Sequence, residues 1–486
     1  MTQHRVLATA AMAFGLVGPV ALQAQQSAAP SPDTTGPSAI AYKGVTLTPI
    51  GFFAAEGVWR QRTENADIGS SFNAIPFPNT TNGQESEFRM SARQSRLGLL
   101  AEGKLNDTKL SGYWESDFLS SGTSSNSNES NSYTFRMRQF WGQAAFNNGV
   151  TVSAGQMWSF LTTERAGVSP RAEAAPLTID AQYVVGFDWA RQAALRITDK
   201  LGDKAWIGLS AEEPQTLVTA HNGKADYISS ATGGNLLNNT TTYSYNIAPD
   251  VIGKLVFEPG FGHYELKFLG RVMTDRMYSP TGVVGGGYDS VGHTSNVLAG
   301  GVGVAGQWKF SNKVDFGISG LWGHGIGRYG TSGLPDATVD STGKLIPILA
   351  AHGLASLEFH ASPKLDLYLY GGAEYEGRTA GTLSTTTGIG YGSPLFSNAG
   401  CNIETPPSGA NAIGSTGSCT ADTRAVYQGA VGTWYRFYKG PAGAMQWGLQ
   451  YSYTGREAWV GVGGGPNGYP KATDGMVFTS IRYYIP

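Results

Sequence analysis

The feature that most constrains this chain is the spacing of its strand-like segments. From about residue 45 to Pro486, segments of alternating polarity are joined by connections that are short, then long, then short again. Ser86–Lys104 and Lys109–Ser120 are separated by Leu105–Thr108. The next gap, Ser121–Asn131, is a run of Ser and Asn. The next is only Asn147-Asn148-Gly149, and the one after it runs from Leu161 to Phe187. A soluble β-protein has no reason to sustain this alternation. A barrel that crosses a bilayer does, because its turns are short on one side and its loops long on the other.

Alternation and turn residues predict strands at about 45–60, 86–103, 109–119, 132–146, 150–160, 188–198, 204–213, 247–258, 263–275, 296–310, 314–326, 349–360, 364–376, 423–438, 443–456 and 475–486. The predicted fold class is all-β, a sixteen-stranded antiparallel transmembrane β-barrel of porin-like form. With a periplasmic N-terminus, the long connections 61–85, 120–131, 161–187, 214–246, 276–295, 327–348, 377–422 and 457–474 all fall outside the cell.

Composition agrees. Charged residues are 14% of the chain, against roughly 25% in an ordinary soluble domain. Gly is 67 of 486, about twice the usual roughly 7%. The net charge of −2 gives no field that would draw nucleic acid. Residues 1–24 read as a signal peptide: His4 and Arg5 precede an uncharged stretch, Val6–Leu22, and Leu22-Gln23-Ala24 offers a cleavage site. Residues 25–43 read as a periplasmic Pro/Ser/Ala-rich linker, and 44–486 as the barrel. No later run is long and apolar enough for a membrane helix, so outer-membrane lipid must be met by strands.

Period-two patterning assigns faces. Leu110, Trp114 and Phe118 share one face of their strand, and Tyr113, Glu115 and Asp117 the other. Phe88, Met90 and Ala92 oppose Glu87, Arg89 and Arg93. Met445, Trp447, Leu449, Tyr451 and Tyr453 oppose Gln446, Gln450, Ser452 and Thr454. Trp141, Trp158, Trp322, Trp434, Tyr483 and Tyr484 lie near strand ends, where interfacial girdles belong. The last strand alternates Met476, Phe478, Arg482 and Tyr484, in the manner of a barrel-assembly signal, but ends in Ile485-Pro486.

The sharpest chemical signal is arginine placement. Arg89, Arg93 and, after a phase shift near Ser95, Arg96 lie in the second strand; Arg136 and Arg138 are two apart in the fourth; Arg191 and Arg196 lie in the sixth. A charge on the lipid face at mid-membrane costs about 2–4 kcal/mol, so these side chains belong in the lumen. There guanidinium groups attract anions and grip carboxylates in bidentate fashion. Alternatively they pair with Glu87, Glu102, Glu115 and Asp117 and brace the wall. Glu115 and Asp117 are read as an opposing acidic wall across a constriction. The segment 161–187, with Glu164, Arg165, Arg171, Glu173 and Asp180, is expected to fold inward as a constriction loop. Cys401 and Cys419 lie in one Ser/Gly/Thr/Pro-rich stretch and predict a disulfide. The seven His show no zinc spacing, no Gly-x-Ser-x-Gly elbow is present, and no cofactor is predicted.

Several stretches resemble the DcaP-like outer-membrane porins. In order they are Ala92-Arg93-Gln94-Ser95-Arg96-Leu97-Gly98-Leu99, Glu115-Ser116-Asp117-Phe118, Arg136-Met137-Arg138, Gly155-Gln156-Met157-Trp158-Ser159-Phe160, Arg191-Gln192, Leu195-Arg196-Ile197-Thr198, Glu213-Pro214 and Pro249-Asp250. The resemblance covers about residues 86–275 and fades beyond. It implies a sixteen-stranded, homotrimeric diffusion porin favouring small anionic solutes such as dicarboxylates, with Arg93, Arg96, Arg136, Arg138 and Arg196 as the pore arginines. The second reading is a surface-exposed barrel acting as an adhesin or outer-membrane hydrolase through its long loops.

Overall fold

Alternating small, polar and apolar residues leave each strand with two unlike faces, and closing the sheet gives both faces a solvent. The computed structural model describes residues 39–121, 132–221, 227–233, 241–278, 291–404, 419–463 and 469–486. Sixteen strands cross: β1 Val45–Arg60, β2 Glu87–Ser91 with Arg96–Leu105, β3 Thr108–Ser120, β4 Thr134–Ala145, β5 Val150–Trp158, β6 Arg191–Leu201, β7 Ala205–Glu212, β8 Asp250–Phe257, β9 His263–Met277, β10 His293–Ser311, β11 Val314–His324, β12 Leu349–Ser362, β13 Leu365–Glu376, β14 Thr423–Gly440, β15 Gly443–Ala458 and β16 Lys471–Tyr484. Each pairs antiparallel with the next, and β1 closes the ring on β16 from Phe52↔Tyr484 to Arg60↔Met476.

The segments named from the sequence are these strands, within a few residues at their ends. The predicted signal peptide and most of the predicted linker lie outside the described residues. The end of the predicted linker is paired. Ile40–Tyr42 pairs with Val45–Leu47 of β1 through a Lys43-Gly44 turn, with φ of 47° and 82°. A two-residue turn with both φ positive is the connection that matches strand twist.

The outer surface is apolar. Phe88, Met90, Leu195, Leu209, Phe268, Leu298, Val304, Leu369 and Val431 are all exposed, and water there would cost about 25 cal/mol per Å². Lipid is the solvent this band requires. The faces read from the sequence hold: Leu110, Trp447, Leu449, Tyr451 and Tyr453 are exposed, while Tyr113, Glu115, Asp117, Gln450, Ser452 and Thr454 are buried.

The girdle expectation needs correction. Trp322 is exposed, but Trp141, Trp158 and Trp434 are buried, and Tyr484 shares a face with Phe52 and Arg482. Met476, Phe478 and Arg482 of β16 are buried as well, and the lipid-facing residues there are Val477 and Ile481. The cause is long-range. The loops after β1 and β5 carry Ile68, Ile75, Phe77, Ile179 and Val184 into the barrel, where they form one apolar cluster with Val58, Trp158, Trp434, Met476 and Phe478.

Candidate functional site

The arginine-bearing wall is built by β2, β3 and β4. Ala92-Arg93-Gln94-Ser95 interrupts β2 and shifts its parity, so Arg89 before the break and Arg96 after it share the inner face. On β4, Arg136 and Arg138 lie beside the Glu115–Asp117 stretch of β3, where the ladder slips between Glu115 and Ser116. Cross-strand neighbours stand about 5 Å apart, within reach of bidentate pairing.

That pairing is extensive. Arg136 Nε and Nη2 donate to the Asp117 carboxylate at 2.7 and 3.2 Å. Arg138 donates Nε to Glu115 at 2.6 Å, Nη1 to Asp117 at 2.7 Å and Nη2 to the Tyr183 hydroxyl at 3.2 Å. Arg96 Nη1 lies 3.7 Å from Glu115. Glu115 and Asp117 therefore do not face the arginines across an opening. They sit against them, because adjacent strands place the opposite charges side by side.

The other predicted arginines divide. Arg93 lies outside the regular strand, paired to Asp67 at 2.8 Å, with its guanidinium 3.8 Å from the Tyr133 ring centroid. Arg196 is 2% exposed, donates to the Trp158 carbonyl at 2.7 Å and lies 4.3 Å from the Phe160 ring. Arg138 is equally covered. Arg89, Arg136 and Arg96 keep 47%, 35% and 26% of their side chains accessible.

The segment after β5 lies inside the barrel, bonded to the far wall. Leu177 N donates to the Tyr370 hydroxyl at 2.9 Å, Ile179 N to Gln450 at 2.6 Å and Gly186 N to Glu374 at 2.8 Å. Arg165 pairs with Glu358 at 2.9 Å. Glu164 is buried against Lys254, and its N–H donates to Glu265 at 2.7 Å. Asp180 accepts from Ser70 N at 3.1 Å, tying this segment to the loop after β1. Arg171 is the exception: it is exposed, held at φ 75°, and stands 4.8 Å over the Tyr113 ring.

Sequence reading turned Arg191 toward the lumen but did not count it among the pore arginines. In the structure it lies 4.7 Å from the Trp189 ring and 5.2 Å from Trp158, and its buried Nη1 has no hydrogen-bond acceptor among the described residues. Trp158 is its cross-strand partner at the end of β5 and Trp189 precedes it by two residues, so the spacing Trp189-Ala190-Arg191 was a local signal for this contact. Cys401 and Cys419 form the expected disulfide, with Cα atoms 4.6 Å apart.

At the outer loops, His221 Nε2 lies 2.6 Å from Asp422 Oδ1, and Gly392 N donates to the other oxygen of Asp422 at 2.6 Å. The hydrogen bond to Asp422 raises the His221 pKa above its ordinary value, against the opposing effect of burial.

No protein-family model matches the chain, and no curated protein does. Among solved structures, the outer-membrane channel DcaP of Acinetobacter baumannii superposes with a TM-score of 0.62 at 16% identity, covering 92% of this chain and 99% of that one. OmpF of Salmonella typhi, in complex with daunomycin, gives 0.48 at 11% identity, over 92% and 100% of the two chains. An anion-selective porin from Comamonas acidovorans gives 0.46 at 11%, over 91% and 100%. At these identities the likeness is one of fold, and the last two scores carry no argument. The chain has the fold of the DcaP channel, a closed sixteen-stranded barrel whose apolar outer band suits the outer membrane of a Gram-negative-type cell.

Proposed function

We propose that this protein is an outer-membrane porin that passes small hydrophilic solutes by passive diffusion and favours anions, dicarboxylates among them. The observation that carries this reading is the charge balance of the β2–β4 wall. Arg96, Arg136 and Arg138 meet two carboxylates, Glu115 and Asp117. One positive charge is left over among these five; on the same side Arg89 and Arg60 share the single carboxylate of Glu87, at 3.4 and 3.0 Å, and Arg171 lies over the sheet. In a confined, low-dielectric passage a small surplus of fixed charge selects the counter-ion. Arg138 and Arg196 act in this reading as braces, and Arg89, Arg96, Arg136 and Arg171 as the groups a solute meets.

A pair of accessible guanidiniums suits a solute with two carboxylates, since each can accept charge-assisted hydrogen bonds. The proposed assembly is a homotrimer, and no cofactor takes part. The test is planar-bilayer recording of the purified protein in a salt gradient. A zero-current potential of anion-selective sign that falls in Arg136→Ala and Arg171→Ala supports the reading. A closed pore, or cation preference in the unaltered protein, overturns it.

A further inference from the structure

Glu376 ends β13 at the extracellular side of the barrel, and its side chain is fully buried. Both carboxylate oxygens lack a hydrogen-bond partner among the described residues. The neighbouring carboxylates are compensated. Asp336 receives Arg271 Nη1 at 2.9 Å, Arg328 N at 3.0 Å and Leu217 N at 2.9 Å. Glu374 receives Gly186 N at 2.8 Å, the Thr331 hydroxyl at 2.8 Å and Ser332 N. Glu376 has only their repulsion. An ionised carboxylate buried without a partner costs several kcal/mol, so something must neutralise it.

What faces it is oxygen. A methyl carbon on Gly327 would lie 2.5 Å from both the Leu334 and Pro335 carbonyl oxygens and 2.7 Å from Glu376 Oε1. Two main-chain carbonyls from the loop after β11 thus gather with the carboxylate over the Gly327 Cα, where only a glycine leaves them room, and neither carbonyl receives a donor among the described residues. A proton on Glu376 would serve one of them. A hard cation serves all, because Ca²⁺ takes six to eight oxygens at about 2.3–2.6 Å and tolerates irregular shells of carboxylate and carbonyl.

We propose that Glu376, with the carbonyls of Leu334 and Pro335, forms a Ca²⁺ site that pins the loop after β11 to the end of β13. A cation there supplies the charge that Asp336 and Glu374 draw from Arg271 and from main-chain N–H groups. The site is independent of the arginine wall, so its test does not depend on selectivity.

The protein carries its own reporter. Trp459 Nε1 donates to the Glu376 carbonyl at 3.2 Å, so a lanthanide at the carboxylate lies beside an indole donor. TbCl₃ added to the chelator-treated, detergent-solubilised protein is expected to give saturable indole-sensitised luminescence that CaCl₂ displaces. CaCl₂ alone is expected to raise the unfolding temperature. Both effects should vanish in Glu376→Gln. Absence of either effect in the unaltered protein, or their persistence in Glu376→Gln, overturns the proposal. If Glu376→Gln does not refold, Trp459→Phe decides: loss of most of the displaceable signal supports the site, and an unchanged signal overturns it.

Discussion

Arg165 Nη2 lies 2.9 Å from Glu358 Oε1, although 193 residues separate them. Arg165 leaves the barrel wall just after β5, and Glu358 sits on β12, nearly opposite in a ring of sixteen. The Tyr370 hydroxyl donates to the same carboxylate oxygen at 2.7 Å. The pair spans the lumen and sets how far the inward segment reaches across it.

Breaking that span should open the pore. In Arg165→Ala the Glu358 carboxylate keeps Tyr370 but loses its cation. Removing one partner of a fully buried pair costs about 3–5 kcal/mol; Arg165 keeps 19% of its side chain accessible, so roughly 2–3 kcal/mol is expected. Single-channel conductance should rise and the temperature of barrel unfolding should fall. Unchanged conductance would mean that the segment is held by its main-chain bonds alone.

The wall arginines should separate by exposure. Arg136→Ala and Arg171→Ala should each lower the anion-to-cation permeability ratio by about a factor of two, roughly 0.4 kcal/mol, with little loss of stability. Arg138→Ala should chiefly destabilise, because it removes the buried guanidinium shared by Glu115 and Asp117, which are 7% and 0% exposed, and leaves Glu115 with only the longer Arg96 contact for a cation. Zero-current potentials and thermal unfolding of the three variants check this division.

His221 and Asp422 should form a pH-dependent clasp between the outer loops. The His221 pKa is raised by its bond to Asp422. The stabilisation is therefore fully present below the unfolded value of about 6.5 and is lost as pH rises through the folded value. Limited proteolysis of the outer loops should be slower at about pH 5.5 than at about pH 9. His221→Ala should abolish the difference, and a pH effect that survives the substitution would assign it elsewhere.

The Cys401–Cys419 bridge closes a segment with a separation of 18 residues. In the chain-entropy model such a loop is worth about 3 kcal/mol. Its removal by Cys401→Ser with Cys419→Ser should speed cleavage within that loop and leave the unfolding temperature of the barrel nearly unchanged. A large fall in that temperature would show that the loop braces the wall.

The strand faces were legible because a strand's side chains alternate whatever surrounds it. Leu110 and Trp447 reach lipid, and Glu115 and Ser452 do not, from spacing alone. Even the parity change that brings Arg96 to the face of Arg89 shows as a break near Ser95. The aromatic positions were legible only in part, because an aromatic residue is equally apolar toward lipid and toward a filled lumen. Trp434 and Phe478 became interior residues once Ile75, Phe77 and Ile179 arrived beside them.

By itself, then, the sequence determined the barrel, its strand number and which face of each strand turns inward. These follow from local periodicity and from the sign of the energy at a lipid face. The tertiary structure alone decided what each inward group meets. Arg138 is spent on Glu115, Asp117 and Tyr183 and Arg196 on the Trp158 carbonyl, while Arg136 stays accessible. Those outcomes depend on a ladder slip between Glu115 and Ser116 and on loops that return from hundreds of residues away. Pairing distance is a property of the closed ring, and no window of the chain contains it.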